Sequence, residues 1–389
     1  SGMPPIAIRD IQIQRRENDL VAASFGRGFF VLDDYSALRE LAADTLAKEA
    51  VLFSPREADW YFERGVLGAT RRGSQGDQLY VADNPPFGAV LTYLLAEGFP
   101  TAEKRRQDRE KAALADQQNI QFPGWDAIES ERRERAPAVK LVIRNDQGHV
   151  VRRLDAPASK GFHRVAWNLR HPYSGSIEAP PNWQGLAPSG FMVMPGQYAA
   201  ELVVITGGET RSLDGPVQFD VTRLYTPSLE GAPLEAVDAF WTELAKVAGQ
   251  LSAAEYALDD ATEAIETLHN MLAASPSAPG DLEATLHRLQ QELYVLEEAL
   301  SGNRSKGAVG AYDEHRVGNW LRHAYGGVSR STYGPTPAHR ESLDNAKASF
   351  EPIRARLNAI ITEELPAIRK GLVTMGAPWG QGQIIPSVQ

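Results

Sequence analysis

The sequence predicts an α+β multidomain chain. Up to about residue 226, short apolar runs alternate with polar residues and are broken by Gly, Pro, Asn and Asp, the pattern of strands and turns. From about residue 229 apolar residues instead recur every three or four positions, the pattern of helices. At 389 residues the chain is long enough for two or three domains, each with a core of its own.

Residues 6 to 34 read as three strands. Ile6, Ile8, Ile11 and Ile13 fall in near-alternation with a slip at Arg9-Asp10, a polar turn follows at 15–19, and Leu20 to Phe25 is the second strand. Gly26-Arg27-Gly28 turns into Phe29 to Leu32, which ends at Asp33-Asp34. Three short strands make a fragment of a sheet whose edges and faces need partners. Ser36 is placed to cap a short helix running through Ala47. Residues 49 to 63 read as an extended, aromatic-rich connector and 64 to 78 as a surface loop.

A second β region opens near Pro85-Pro86-Phe87-Gly88. Ala89 to Leu95 is a strand, followed by a charged insertion over 99–136 whose first half, Glu103 to Asp116, is helical in composition. Strands resume with Val139 to Arg144 and Val150 to Leu154 around the turn Asn145-Asp146-Gln147-Gly148. Phe162 to Leu169 follows, with Phe162, Val165 and Trp167 as its expected core, then a Pro/Gly/Ser-rich loop over 171–192, Gln197 to Ile205, and Val217 to Val221. Six or seven short strands with these turns predict a β-sandwich of immunoglobulin-like type.

The helical part begins with Leu234, Val237, Trp241, Leu244, Ala248 and Leu251, continued by Leu258, Ile265, Leu268 and Leu272. After a break at 275–280, Leu282, Leu286, Leu289, Leu293, Leu296 and Leu300 repeat in 4-3-4-3-4 spacing up to Gly302. A short helix is expected over Val317 to Ala324. A long one starts at Thr336-Pro337, an N-cap followed by proline at the first helical position, and runs through Ile368 with Pro352 and Pro366 expected to kink it. The sum is a C-terminal antiparallel helical bundle.

The net charge of −10 and a pI near 5.4 disfavour nucleic-acid binding and attraction to anionic membranes. No cysteine is present, which removes disulfides and every thiolate site. No stretch approaches the roughly 18 apolar residues of a membrane span. Ser1-Gly2 ahead of Met3 reads as a tag-cleavage remnant, so the lack of a leader says nothing about localisation.

Candidate chemistry is sparse. Asp33-Asp34 and Asp259-Asp260 are adjacent acid pairs, but strand neighbours point to opposite faces, so they read as a turn cap and a solvated helix face, not an acid/base pair. His315 and His323 flank Trp320 near Asp313 and Glu314 without metal-ligand spacing, and read as a polar helix surface. His163 is expected to make a structural hydrogen bond. Gly302 to Gly307 is basic and Gly-rich but lacks the order of a phosphate loop. Lys104-Arg105-Arg106, Arg132-Arg133 and Arg135 alternate with acids and read as solvated helix faces. Trp125 and Trp183 stand in loops. Such tryptophans either stack on sugar rings or plug a seam between domains, and the seam is the expectation. No residue is assigned a catalytic role, and no metal or cofactor site is read.

Several strings carry a resemblance. Pro5-Ile6-Ala7-Ile8-Arg9-Asp10, Asn18-Asp19-Leu20-Val21 and Phe25-Gly26-Arg27-Gly28-Phe29 ending in Leu32-Asp33-Asp34 form one set. Asn84-Pro85-Pro86-Phe87-Gly88-Ala89, the run from Lys160 to Arg170, Pro195-Gly196-Gln197-Tyr198, Ser331-Thr332 with Pro335-Thr336, and Gly376-Ala377-Pro378-Trp379 form another. Together they resemble the C-terminal region of large bacterial β-propeller proteins with BNR repeats, labelled glycosyl hydrolases and related to the sortilin propeller. The Asp-box turns of that family, Ser-x-Asp-x-Gly-x-Thr-Trp, do not occur here. The resemblance implies five parts: a last propeller-blade remnant over 1–48, a connecting segment over 49–84, the sandwich over 85–226, the bundle over 227–375 and a tail over 376–389. It further implies a non-catalytic accessory role. The alternatives are part of a periplasmic or extracellular glycoside hydrolase whose active site lies in other blades, or a peptide-binding module of sortilin-like type. Upstream blades or another chain would be the partner, and the chain is a possible homo-oligomer. The strands of 6–34 are expected to pair with a neighbouring chain or to dock on an apolar surface of their own.

Overall fold

The computed structural model describes residues 5–63, 84–177, 189–278, 280–311 and 316–380. The chain is a mixed α+β protein. It divides into two compact units, Ser1–His171 with Met192–Thr226, and Pro172–Phe191 with Pro227–Gln389.

The first unit opens with a three-stranded antiparallel sheet in the order β1-β2-β3, formed by β1 (Ile8–Gln14), β2 (Asp19–Ser24) and β3 (Phe29–Leu32). The slip anticipated at Arg9-Asp10 is a bulge between Ile8 and Asp10. Asn18 and Gly26 take the positive φ their turns require. The expected helix over Ser36–Ala47 is instead two single turns, α1 (Ser36–Arg39) and α2 (Ala43–Leu46), because Ala42 is extended. Ser36 lies inside the first turn, and its hydroxyl accepts from Asn18 Nδ2 at 3.1 Å.

The segment 49–63 holds two strands. β4 (Ala50–Leu52) joins β6 (Ala89–Leu95) and β9 (Gly161–Trp167) in a sheet ordered β4-β6-β9. β5 (Ala58–Trp60) lies at the edge of a five-stranded sheet ordered β5-β13-β12-β7-β8, with β7 (Ala138–Asn145), β8 (Val150–Ala156), β12 (Gly196–Thr206) and β13 (Glu209–Arg223). β10 (Arg170–Pro172) and β11 (Ser189–Met192) form a separate two-stranded sheet.

β13 begins eight residues before the expected Val217. Its first half is polar and exposed, but Gly207-Gly208 closes a hairpin that pairs it with β12 as far as Thr206↔Glu209. The sheets share a core. Fully buried Trp167 of β9 meets Tyr198 at 5.3 Å and Phe219 at 6.2 Å, both from the five-stranded sheet. Phe162 does not join this core. It differs in parity from Val165 and Trp167, so it faces the other way and stacks on Phe53 at 5.9 Å.

The insertion forms two helices, α3 (Ala102–Ala115) and α4 (Trp125–Arg133), where composition indicated one. Neither buries a residue.

The second unit is helical: α5 (Leu234–Ala273), α6 (Leu282–Ser301), α7 (Arg304–Ala308), α8 (Val317–Val328), α9 (Pro337–Ala359) and α10 (Leu365–Thr374). α5 buries Val237, Trp241, Leu244, Leu251, Leu258, Ile265 and Leu268 as spaced in the sequence, with Val247 in the place expected of Ala248. α6 buries five of its six repeat leucines. Each fully buried leucine contributes about 1.5–3 kcal/mol. The segment before α5 packs on it: Ser174 Oγ donates to Ala245 O at 2.8 Å, and Phe191 stacks on Trp241 at 5.3 Å. α8 runs on through Gly326-Gly327 to Val328. α9 continues through Pro352. A π turn at Ile360–Glu364 separates it from α10, which starts with Pro366 in its first turn. Proline lacks the N–H and crowds the carbonyl four residues back, and the wider turn makes room for both.

Candidate functional site

The most unusual surface of the first unit is the sheet β1-β2-β3. None of the described residues from Pro5 to Ser36 is buried. The register Ile11↔Ala22, Ile13↔Leu20, Ala22↔Phe30 and Leu20↔Leu32 puts six apolar side chains on one face. Ile11 is 55% exposed, Ile13 50% and Leu32 43%. The opposite face carries Val21, Ala23, Phe29 and Val31 on β2 and β3, with Phe29 74% exposed, but Asp10, Gln12 and Gln14 on β1. A face apolar across all three strands is the pattern of a strand layer that a neighbour covers.

This sheet is tied to the rest of its unit by polar contacts. Arg56 Nη1 donates to Glu17 O at 2.7 Å and pairs with the Glu17 carboxylate, which it holds below the usual range. Arg164 donates to the backbone carbonyls of Asp33, at 2.6 Å, and Asp34. The expected docking on an apolar surface of their own chain is not what holds these strands; the expected pairing with a neighbouring chain stays a proposal. Within the described chain they pair with one another and are anchored through arginines.

A second site lies in the helical unit. Glu255, Tyr256, Leu258 and Asp259 of α5 face Glu297, Leu300 and Ser301 of α6 and Arg304 of α7 round a cavity of about 330 Å³. Burial raises the Glu255 carboxyl, against a weak hydrogen bond from Ser301 Oγ at 3.5 Å, and the nearby Asp259 raises it further. Arg304 is paired with Glu297. The lining offers acceptors and one acid that keeps its proton to higher pH than usual. It contains no histidine or lysine to serve as a base.

A histidine pair closes the start of α9. Thr336 Oγ1 accepts from His339 N at 3.4 Å, and His339 Nδ1 accepts from Thr336 N at 3.2 Å, a reciprocal capping box. His323 of α8 lies 5.5 Å from the His339 ring, and its Nδ1 is 2.8 Å from Oγ of buried Ser342. Burial and the neighbouring His323 lower the His339 pKa.

The other candidates are structural. Asp34 takes positive φ and its carboxylate accepts from Ser36 N, a turn cap as expected. Asp259 and Asp260 are exposed on α5, with only Asp259 at the cavity. His163 Nε2 bonds Ser159 O at 2.6 Å and packs on Tyr93. Asn303 caps α7 through Lys306 N at 3.0 Å. Arg106 binds Glu110 and Glu131, while Arg132 and Arg133 bind Glu129. Trp125 does not fill a seam: it is 77% exposed and stacks edge-on against Phe122. Trp183, Asp313, Glu314 and His315 lie outside the described residues. Among those described, no group of three His, Asp or Glu is placed to hold a metal, and no helix is long and apolar enough to cross a membrane.

The cavity and the histidine cap were not read from sequence. The signal for the cap was present as Thr336-x-x-His339, the capping-box spacing with histidine where Glu or Gln usually stands.

No protein-family model matches the chain, and no curated protein matches it. Among solved structures it shows a similarity to PorZ, described as an essential bacterial surface component of the type-IX secretion system of Porphyromonas gingivalis. The identity is 12% and the TM-score 0.13, over 56% of this chain and 23% of PorZ. The chain thus spans under a quarter of PorZ's length.

Proposed function

We propose that this chain is a non-catalytic scaffold, the C-terminal region of a larger BNR-repeat β-propeller protein that acts outside the cytoplasm. In this reading β1, β2 and β3 belong to a terminal blade, the paired sheets form an immunoglobulin-like sandwich and α5–α10 form an antiparallel bundle. The supporting observation is the uncovered apolar face of this sheet, made by Ile11, Ile13, Leu20, Ala22, Phe30 and Leu32. Blades of a propeller cover each other's faces, and a sheet of three short strands gains little stability without such cover. Anchoring by Arg56 and Arg164 leaves the apolar face open to a neighbouring blade.

Amide exchange over Ile8–Leu32 tests the proposal, measured in this chain alone and in a longer chain that includes upstream blades. Protection is expected to rise by at least about tenfold in the longer chain, with the rise lost in I11K/L32K. Equal exchange in both chains would overturn the reading.

A further inference from the structure

The arm formed by α3 and α4 has no core and is held together by polar contacts. Thr101 caps α3 by accepting from Lys104 N at 3.1 Å. The Glu134 carboxylate accepts from Ala102 N at 2.6 Å, closing the base. Arg106 bridges the helices, 2.9 Å from both Glu110 and Glu131. These contacts gather near the base, and the apolar residues gather at the tip. Leu114 is 64% exposed, Phe122 61% and Trp125 77%, with Ile120 beside them. Phe122 and Trp125 hold each other edge-to-face with centroids 5.0 Å apart.

Within the tip the charges are acidic, with Lys111 and Arg132 standing at its two ends. From Ala112 to Glu131 the sequence has Asp116, Asp126, Glu129 and Glu131 and no lysine or arginine. Glu129 and Glu131 are neutralised by arginines of the arm. Asp116 and Asp126 bracket the apolar cluster and make no ion pair among the described residues.

We propose that the tip of this arm is a docking knob for a partner protein that presents an apolar pocket rimmed by lysine and arginine. An exposed Trp–Phe pair on a helical arm provides the kind of aromatic anchor that dominates protein interfaces. The flanking carboxylates select a cationic rim and speed encounter with it. The same carboxylates are repelled by an anionic bilayer.

The test titrates the full chain with four probes: an amphipathic leucine–arginine peptide, its leucine–glutamate counterpart, phosphatidylcholine vesicles and a soluble β-glucan. Calorimetry reads binding at low and physiological salt. Binding of the cationic peptide alone is expected, weakened about tenfold or more by W125A. D116N/D126N should weaken it at low salt and much less at physiological salt. Exchange protection over 102–133 checks that the arm stays folded in both variants. Binding that W125A does not change, equal binding of the glutamate peptide, Trp125-dependent binding to vesicles or glucan, or no peptide binding would each overturn the proposal.

Discussion

His339 ties the start of α9 to pH. Its Nδ1 accepts the Thr336 N–H at 3.2 Å, so the neutral ring carries its proton on Nε2. A second proton can be added only at Nδ1. That turns the acceptor into a donor aimed at another donor, and it adds charge 5.5 Å from His323. Burial and His323 both lower the pKa, so the folded state holds the neutral form below the ordinary histidine value of 6.5. The sign follows: the unfolded chain takes up its proton first as pH falls. The contribution is therefore fully present above about pH 6.5 and is lost as pH falls toward the depressed folded value. A helix cap is worth about 1 kcal/mol. Exchange of the first-turn amides of α9 should accordingly speed by about fivefold beyond the intrinsic pH effect between pH 7.5 and 5. A local readout suits a chain of two units better than global unfolding. The comparison is H339Q, whose amide supplies the same acceptor without titrating. Parallel profiles for H339Q and the parent chain would refute the reasoning.

Three further outcomes are expected. W167A should destabilise the paired sheets by about 3–5 kcal/mol in denaturant titration, because Trp167 is fully buried against Tyr198 and Phe219. G88A should cost several kcal/mol by the same measurement: Gly88 has φ +101°, and an added Cβ would sit 2.0 Å from the Trp167 carbonyl oxygen. Arg356 bridges Glu292, at 2.5 Å, and Glu364, and holds both carboxyls below the usual range. Their contribution is present above the ordinary glutamate pKa and lost as pH falls through the folded values. R356M should remove about 1 kcal/mol at neutral pH, less at high salt, and flatten the acid limb of a thermal melt.

Periodic signals were legible, and those set by distant contacts were not. The leucine repeat of α6 and the Thr336-Pro337 start of α9 depend on local spacing and stand where the sequence puts them. The strands β4 and β5 are three residues each, too short to show alternation, and exist because β6 and β13 offer them an edge. The first half of β13 is polar and is specified by its hairpin partner. Phe162 shows a misread parity, since hydrophobicity alone does not say which face of a strand is inward. The apolar strings of 6–34 were visible, but their exposure was not: burial depends on what covers them. The cavity beside Glu255 joins residues about forty to fifty positions apart on three helices, α5, α6 and α7, a juxtaposition that no local spacing shows.

The π turn at Ile360–Glu364 acts as a phase adjuster. Buried positions advance 353, 357, 360, then 365, 368, 372, with a step of five across the turn in place of three or four. The two stretches of helix are therefore written in different reading frames. Deleting one residue within the turn would rejoin those frames: the step of five becomes four, and Leu365, Ile368 and Leu372 stay on the face of Ile353, Leu357 and Ile360 in ordinary 4-3-4-3-4 spacing. A deletion elsewhere in α9, with the wide turn kept, would instead rotate every side chain beyond it by about 100°. The turn is thus a place where this segment can lose a residue and keep its core, and the identities of its exposed Thr362 and Glu363 are free to vary.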